Sequence, residues 1–311
     1  MTRVRVFQVD AFTSRPFAGN PAGVVLDAQL LDDRQMQLVA RELNNGDTAF
    51  LLPADGSDHD LRVRFFTPRT EIGFVGHATV AAHAVLAALG LPACRRQKQR
   101  SGVVAVEREA TAQGLRFSFA QPAPRLREPI DGTLLAAVLS AVGLQAEDLD
   151  ERCPAMTAGG QSTRALIALR DGACLARVQP DLARLAALSA AGAAPGFFLF
   201  TLRPAVPDCQ TEARMFCPAL GIAEDPVSGN AHAMLATLLS TQGLLPRAPL
   251  SAPSAAASNG GFRARQGHHM GRAGELQVSV HGGDAQPVTV SVAGAATVVF
   301  ETGIDLLSLT P

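Results

Sequence analysis

Two stretches of this 311-residue chain repeat one layout. The first reads Arg64-Phe65-Phe66-Thr67-Pro68 and, after a loop, Gly76-His77-Ala78-Thr79. The second reads Arg214-Met215-Phe216-Cys217-Pro218 and, after a longer loop, Gly229-Asn230-Ala231-His232. Each copy joins an apolar segment closed by proline to a glycine, one polar side chain and a small-residue helix. Each helix stops at a glycine, Gly90 or Gly243. A repeat at this separation predicts a duplicated unit and two similar domains. The two helix starts are expected to face one cleft between the domains, with the chemistry there.

The length suits two domains, and a chain that is 47% hydrophobic and 18% charged fits a soluble globular protein with a sizeable core. The formal net charge of -1 leaves no basic excess for phosphate backbones, so nucleic acid is not expected as a partner. No membrane span is expected either. The longest apolar stretch, Ala78 to Leu91, is broken by His83 and falls short of the ~20 residues a bilayer needs. Val4, Val6 and Val9 alternate like a strand and do not resemble a signal peptide. The five cysteines are scattered, without a CxxC pair or metal-ligand spacing, and read as reduced thiols of a cytoplasmic protein.

Residues 4–10 open with period-two alternation, and Phe17 to Gly23 reads as a glycine- and proline-rich turn before a short strand at Val24-Val25-Leu26. Asp32 or Asp33 caps a helix carrying Met36, Val39, Ala40 and Leu43, which Asn44-Asn45-Gly46 ends. Asp47 follows at once and leads into a strand at 48–52. Strands are expected at 61–67, 102–108 and 114–120, and a helix over His77–Leu89. Residues 121–125 (QPAPR) make the best linker. In the second half, a helix spans about 133–142 and strands lie at 164–169 and 197–200. Thr157-Ala158-Gly159-Gly160 mirrors the Gly46 turn. A Ser/Ala-rich loop near 251–260 precedes strands at 262–265, 275–281, 287–292 and 297–300. The fold class that follows is α+β: two similar domains, each a β-sheet rolled around a central helix. The domains are expected at 1–122, joined by 296–311, and at 123–295. The βαβ rhythm of a doubly wound sheet is not visible.

His77 follows Gly76 at a helix start, where free N–H groups and the dipole favour an anion and should lower the imidazole pKa. Glu224-Asp225-Pro226-Val227-Ser228 leads into the second helix. Ser228 or Asp225 can cap that helix, and an acid is left over. Asn230 occupies the place of His77. Asp47 on local grounds alone is ordinary turn chemistry. His83 and His232, inside the Ala-rich helices, read as core histidines. His268 and His269 lack carboxylate or cysteine neighbours at ligand spacing, so no metal is expected. No nucleotide loop is present, and neither helix start carries the cysteine that a thiol-pair racemase needs.

At these residues the chain resembles the PhzF family, the phenazine-biosynthesis isomerases and their relatives. The match rests on Val9-Asp10-Ala11-Phe12-Thr13 with Phe17 to Ala22, Gly46 to Phe50, Phe66-Thr67-Pro68 with Gly76 to Thr79, Glu224 to Ala231, and Gln266-Gly267 through Gly271-Arg272. The resemblance implies the diaminopimelate-epimerase-like fold, no cofactor, a homodimer and a small-molecule carboxylate substrate. The family's phenazine enzyme isomerises trans-2,3-dihydro-3-hydroxyanthranilate. Its proton-transferring glutamate matches Asp47, and its histidine and aspartate match His77 and Asp225. Gly46, Gly76, Gly229, Asn230 and Ala231 then bind substrate. Asp47 is one methylene shorter than the family's glutamate, Gly46 precedes it, and Asn230 cannot relay a proton as a serine can. The expected function is a proton shift or epimerisation on an anthranilate- or amino-acid-like carboxylate in a biosynthetic process. The alternative is a non-catalytic carboxylate binder on the same fold.

Overall fold

The computed structural model describes residues 3–159, 162–192, 194–245, 259–282 and 287–305. Gly160 of the second glycine turn, residues 251–258 of the Ser/Ala-rich loop and residues 306–311 of the last segment lie outside them. In chain order the strands are β1 Arg3–Ala11, β2 Asn20–Val25, β3 Asp47–Pro53, β4 Leu61–Phe66, β5 Glu71–Ile72, β6 Arg96–Gln99, β7 Gly102–Thr111, β8 Gly114–Pro122 and β9 Leu126–Pro129. They continue as β10 Met156–Gly159, β11 Thr163–Leu169, β12 Phe197–Thr201, β13 Thr211–Cys217, β14 Ile222–Asp225, β15 Gly260–Gln266, β16 Gly274–Gly282, β17 Pro287–Gly294 and β18 Ala296–Asp305. The α-helices are α1 Asp33–Leu43, α2 Gly76–Ala88, α3 Gly132–Ala141, α4 Gly172–Ala176, α5 Leu182–Ala190 and α6 Gly229–Thr241. The chain divides into two compact units, Met1–Ala120 with Ala293–Pro311, and Gln121–Val292.

In the first unit β1 pairs antiparallel with β2, and β2 pairs parallel with β3 across α1. β3 pairs antiparallel with β4, and β4 pairs parallel with β6 across α2. In the second unit β10 pairs antiparallel with β11, and β11 pairs parallel with β12 across α4 and α5. β12 pairs antiparallel with β13, and β13 pairs parallel with β15 across α6. The antiparallel pairs β4 with β5 and β6 with β7 likewise match β13 with β14 and β15 with β16, so the duplication read from two motifs extends over seven strands of each unit. Each unit thus contains parallel crossovers, yet not the regular alternation of a doubly wound sheet, in line with the sequence. They were hidden because each helix-linked pair sits among antiparallel hairpins, so no regular alternation reaches the sequence.

Side-chain contacts repeat too. Arg64 forks onto Glu71 at 2.8 Å through both Nε and Nη2, and lies 5.1 Å from the Phe66 ring centre. Arg214 forks onto Glu224 at 2.9 and 2.8 Å and lies 5.0 Å from the Phe216 ring centre. Each arginine thus keeps its charge matched while covering an aromatic face.

Helix α2 is apolar on all sides, with Ala78 through Leu86 buried, which marks a central helix enclosed by its sheet. Its core partners include Val9, Val24, Ala49, Leu51, Val63 and Phe65. Thr79 and His83 are tied to β6 through Gln97, whose amide donates to Thr79 Oγ1 at 3.1 Å and whose carbonyl lies 3.0 Å from His83 Nε2. Helix α6 is buried in the same way from Ala231 through Leu239. Both helices end on a left-handed glycine, Gly90 at φ 68° and Gly243 at φ 66°. Leu91 N–H then returns to the Leu86 carbonyl at 2.9 Å, and Leu244 N–H to Leu239 at 2.8 Å.

Three local readings change. Asn20 to Gly23 is strand, not turn: Pro21 pairs with Asp10 on the β1 side, and the parallel pairing with β3 begins only at Ala22, so the missing proline N–H breaks no ladder. Gln121 and Pro122 complete β8, so the segment read as linker begins as strand, and the boundary between the two compact units falls at its start, before Gln121. The mirror of the Gly46 turn is Pro195-Gly196, not Thr157 to Gly160. Thr48 faces Phe66 in β4 as Phe197 faces Phe216 in β13, which sets Asp47 against Gly196. The last described strand, β18, pairs antiparallel with β1 from Arg3↔Asp305 to Ala11↔Ala296. Among the described residues no helix is long and apolar enough to cross a membrane.

Candidate active site

Helix α1 begins on a capping box in which Asp32 accepts from Gln35 N–H and Gln35 reaches back to Asp32 N–H. It ends on Asn44 in the left-handed conformation (φ 51°), as an Asn-Asn-Gly sequence allows. The chain then passes through Gly46, where an added Cβ would meet nothing within 4 Å. Asp47 follows as the first residue of β3, fixed by its parallel pairing opposite Ala22. Gly46 is therefore open space beside the carboxylate, not a backbone requirement.

Helix α2 starts at Gly76, where an added Cβ would lie 2.6 Å from Phe119 Cζ. Phe119 is buried and stacks edge-on against Phe74 at 5.2 Å, so it cannot yield, and the glycine is sterically required. Val75 offers no side chain to cap this helix. His77, the second helical residue, brings Nε2 to 3.7 Å from Asp47 Oδ2. Two side chains that look unrelated in sequence are thus brought together in the first unit. His77 Nε2 is buried and makes no hydrogen bond. Burial lowers the His77 pKa to about 4, so the imidazole is neutral at pH 7. The direction agrees with the sequence reading, and burial is its cause.

In the second unit Ser228 caps α6, accepting from Ala231 N–H at 3.3 Å. Glu224 is committed to Arg214. Asp225 closes β14 opposite Met215 and is half-buried. Gln266 pins this turn, donating to the Asp225 carbonyl at 2.6 Å and accepting from Ser228 N–H at 3.2 Å. Gly267 follows at φ 85°, and its Cβ would fall 2.6 Å from the Pro226 carbonyl. Gly229 and Ala231 are buried, and Asn230 is exposed.

His83 and His232 are core residues, as read from sequence. His232 Nδ1 lies 2.8 Å from the Ser228 carbonyl, its ring meets Phe198 edge-on at 5.0 Å, and burial lowers its pKa to about 4. His268 and His269 do acquire a carboxylate neighbour, Glu212, which the sequence spacing did not reveal. His268 Nε2 makes a direct ion pair with Glu212 Oε1, and His269 Nε2 is 4.0 Å from the same oxygen. The Ala205 N–H also donates to Glu212, at 2.9 Å, so the carboxylate is held by protein groups. Sequence reasoning also passed over Arg164. The available signal was a charged residue opening an otherwise fully apolar strand, Ala165 to Leu169.

The two repeated units, each with a sheet around a buried central helix, define an α+β protein of the diaminopimelate-epimerase-like class. The family model described as phenazine biosynthesis-like protein, PhzC-PhzF, matches residues 9–302, and the chain belongs to this family. It is 40% identical over 301 residues to a protein of Escherichia coli O157:H7 named uncharacterized isomerase YddE, covering 95% of this chain and 96% of that one. The crystal structure of a Bacillus anthracis phenazine biosynthesis protein of the PhzF family superposes with a TM-score of 0.84 at 24% identity, over 98% of this chain and 100% of that one. The structure of a predicted epimerase, PA4716 of Pseudomonas aeruginosa, gives 0.74 at 27% identity, over 96% of this chain and 98% of that one.

Proposed function

We propose that the protein is an isomerase that moves a proton on a small amino- or hydroxy-carboxylate, with side chains alone transferring the proton. The observation that carries this is the Asp47 carboxylate held 3.7 Å from a neutral, buried His77 whose Nε2 has no hydrogen-bond partner. A carboxylate is a proton acceptor by nature. A neutral imidazole can donate to a substrate oxygen or nitrogen without placing a positive charge in a buried site. Two groups 3.7 Å apart can both reach one substrate atom, since hydrogen bonds of about 2.8 Å span such a gap.

In this reading Asp47 takes a proton from carbon next to an electron-withdrawing group and returns it to the same or a neighbouring carbon. The first outcome is an epimerisation and the second a 1,3-shift. His77 orients the amine or hydroxyl. Gly46 leaves room beside the base, and the uncapped start of α2 at Gly76 supplies N–H donors to the substrate carboxylate. Family membership and the isomerase names of the relatives support the reaction class. The substrate is anthranilate-like or amino-acid-like, and a homodimer belongs to the same proposal; light scattering of the purified protein checks the latter.

The test is proton NMR in D₂O with a panel of amino- and hydroxy-carboxylates that includes trans-2,3-dihydro-3-hydroxyanthranilate. Solvent deuterium should enter the product, and Asp47→Asn should reduce the rate by at least ~10²-fold, as loss of a general base does. Exchange that survives in Asp47→Asn would defeat the assignment. A non-catalytic carboxylate binder is the second reading, favoured by the shortening of the family glutamate to Asp47. It predicts ligand broadening without exchange and unchanged affinity in Asp47→Asn.

A further inference from the structure

We propose that Arg164 is the seat of a carboxylate anion in the second unit. Arg164 is 8% exposed, yet its guanidinium has one hydrogen bond, Nη1 to the Thr163 carbonyl at 2.9 Å. Its Nε is buried without a partner. No carboxylate among the described residues forms an ion pair with it. Arg214, buried to the same extent, shows the ordinary solution, a two-pronged pair with Glu224. A buried cation left with one neutral acceptor is costly, and the cost is removed when an anion occupies the fork. Guanidinium and carboxylate match in two parallel hydrogen bonds.

The repeat explains how the site is built. Gly196 stands in the second unit where Asp47 stands in the first. A Cβ on Gly196 would fall 2.6 Å from Arg164 Cδ, 2.8 Å from Arg164 Nε and 2.5 Å from Cys217 Sγ. The Arg164 side chain therefore fills the direction that the Asp47 carboxylate takes in the other copy, and only glycine leaves it that space. Arg164 itself replaces Ala22, the residue opposite Asp47. The duplicated position has diverged into a base in one unit and a cation in the other.

The proposal goes beyond the functional reading above and stands without it. Calorimetric titration of the full chain with benzoate, with neutral benzamide as the control, tests it. Wild type should bind benzoate, and Arg164→Gln should weaken it at least tenfold without changing the benzamide response. Arg164→Lys should keep part of the affinity, because it preserves the charge and loses the fork. If Arg164→Gln does not fold, Arg164→Lys carries the test, with a loss of severalfold for benzoate alone. No benzoate binding to wild type, or equal binding to Arg164→Gln, overturns the proposal. Benzoate binding that depends on Arg164 together with no exchange on any substrate would remove the reaction and leave the anion site standing.

Discussion

Lowering the pH should unfold this protein earlier than its carboxylates alone would. Three imidazoles, His77, His83 and His232, are buried, and burial lowers each pKa from 6.5 to about 4. The unfolded chain binds protons at these groups that the folded chain refuses, so stability rises with pH between about 4 and 6.5. Their contribution is complete above 6.5 and is lost as the pH falls toward 4. Such a shift corresponds to roughly 3 kcal/mol per histidine at the acid end, and to about 2 kcal/mol each at pH 5. Together the three remove ~6 kcal/mol between neutrality and pH 5, a large part of the ~5–15 kcal/mol typical of a folded domain. The window separates them from paired carboxylates such as Asp55, whose pKa is lowered to about 2. Urea unfolding at a series of pH values from 7.5 to 5 measures the slope, and His83→Gln should remove about a third of it. A stability that stays level within ~1 kcal/mol across this range would refute the reasoning, because three histidines then cannot be buried in neutral form.

Further outcomes follow from the packing. Gly76→Ala should lower stability by about 1–3 kcal/mol in thermal unfolding, because the new methyl meets a buried Phe119 ring that has nowhere to go. Gly46→Ser should be close to neutral in the same assay, since the position faces open space. Glu224→Gln should cost about 3–5 kcal/mol by leaving Arg214 charged, buried and half-matched, and urea midpoints report it.

The parts of the fold written in short-range patterns were legible in the sequence. The Asp32 start and Asn44 stop of α1, the two small-residue helices and their terminal glycines all depend on neighbours within a turn of chain. The two-domain reading came from the same source, since the Arg-Phe-Phe-Thr-Pro and Arg-Met-Phe-Cys-Pro segments are local. What did not show were relations between distant strands. The parallel pairs β2 with β3 and β11 with β12 leave no periodicity of their own, and Pro21 in a strand contradicts local propensity until the ladder is counted. The candidate site divides in the same way. His77 stood out because a glycine and a helix start frame it, whereas Asp47 looked like a turn residue until family resemblance singled it out. Its 3.7 Å approach to His77 is a tertiary fact. Glu212 beside His268 and the unmatched charge of Arg164 were invisible, because a missing or distant partner leaves no trace in spacing.

The pairing of β18 with β1 has a consequence for how the chain comes into being. The first unit is built from both ends of the described chain, and the second from one continuous stretch between them. On a ribosome, β1 and β2 emerge early, but the other edge of β1 stays without its partner until Thr297 to Asp305 have been made. The second unit, in contrast, has every one of its strands in hand by then. The later-encoded unit is therefore the one able to finish first. The earlier-encoded one must hold an open, valine-rich strand edge through most of synthesis, which is the form of exposure that invites pairing with another nascent chain.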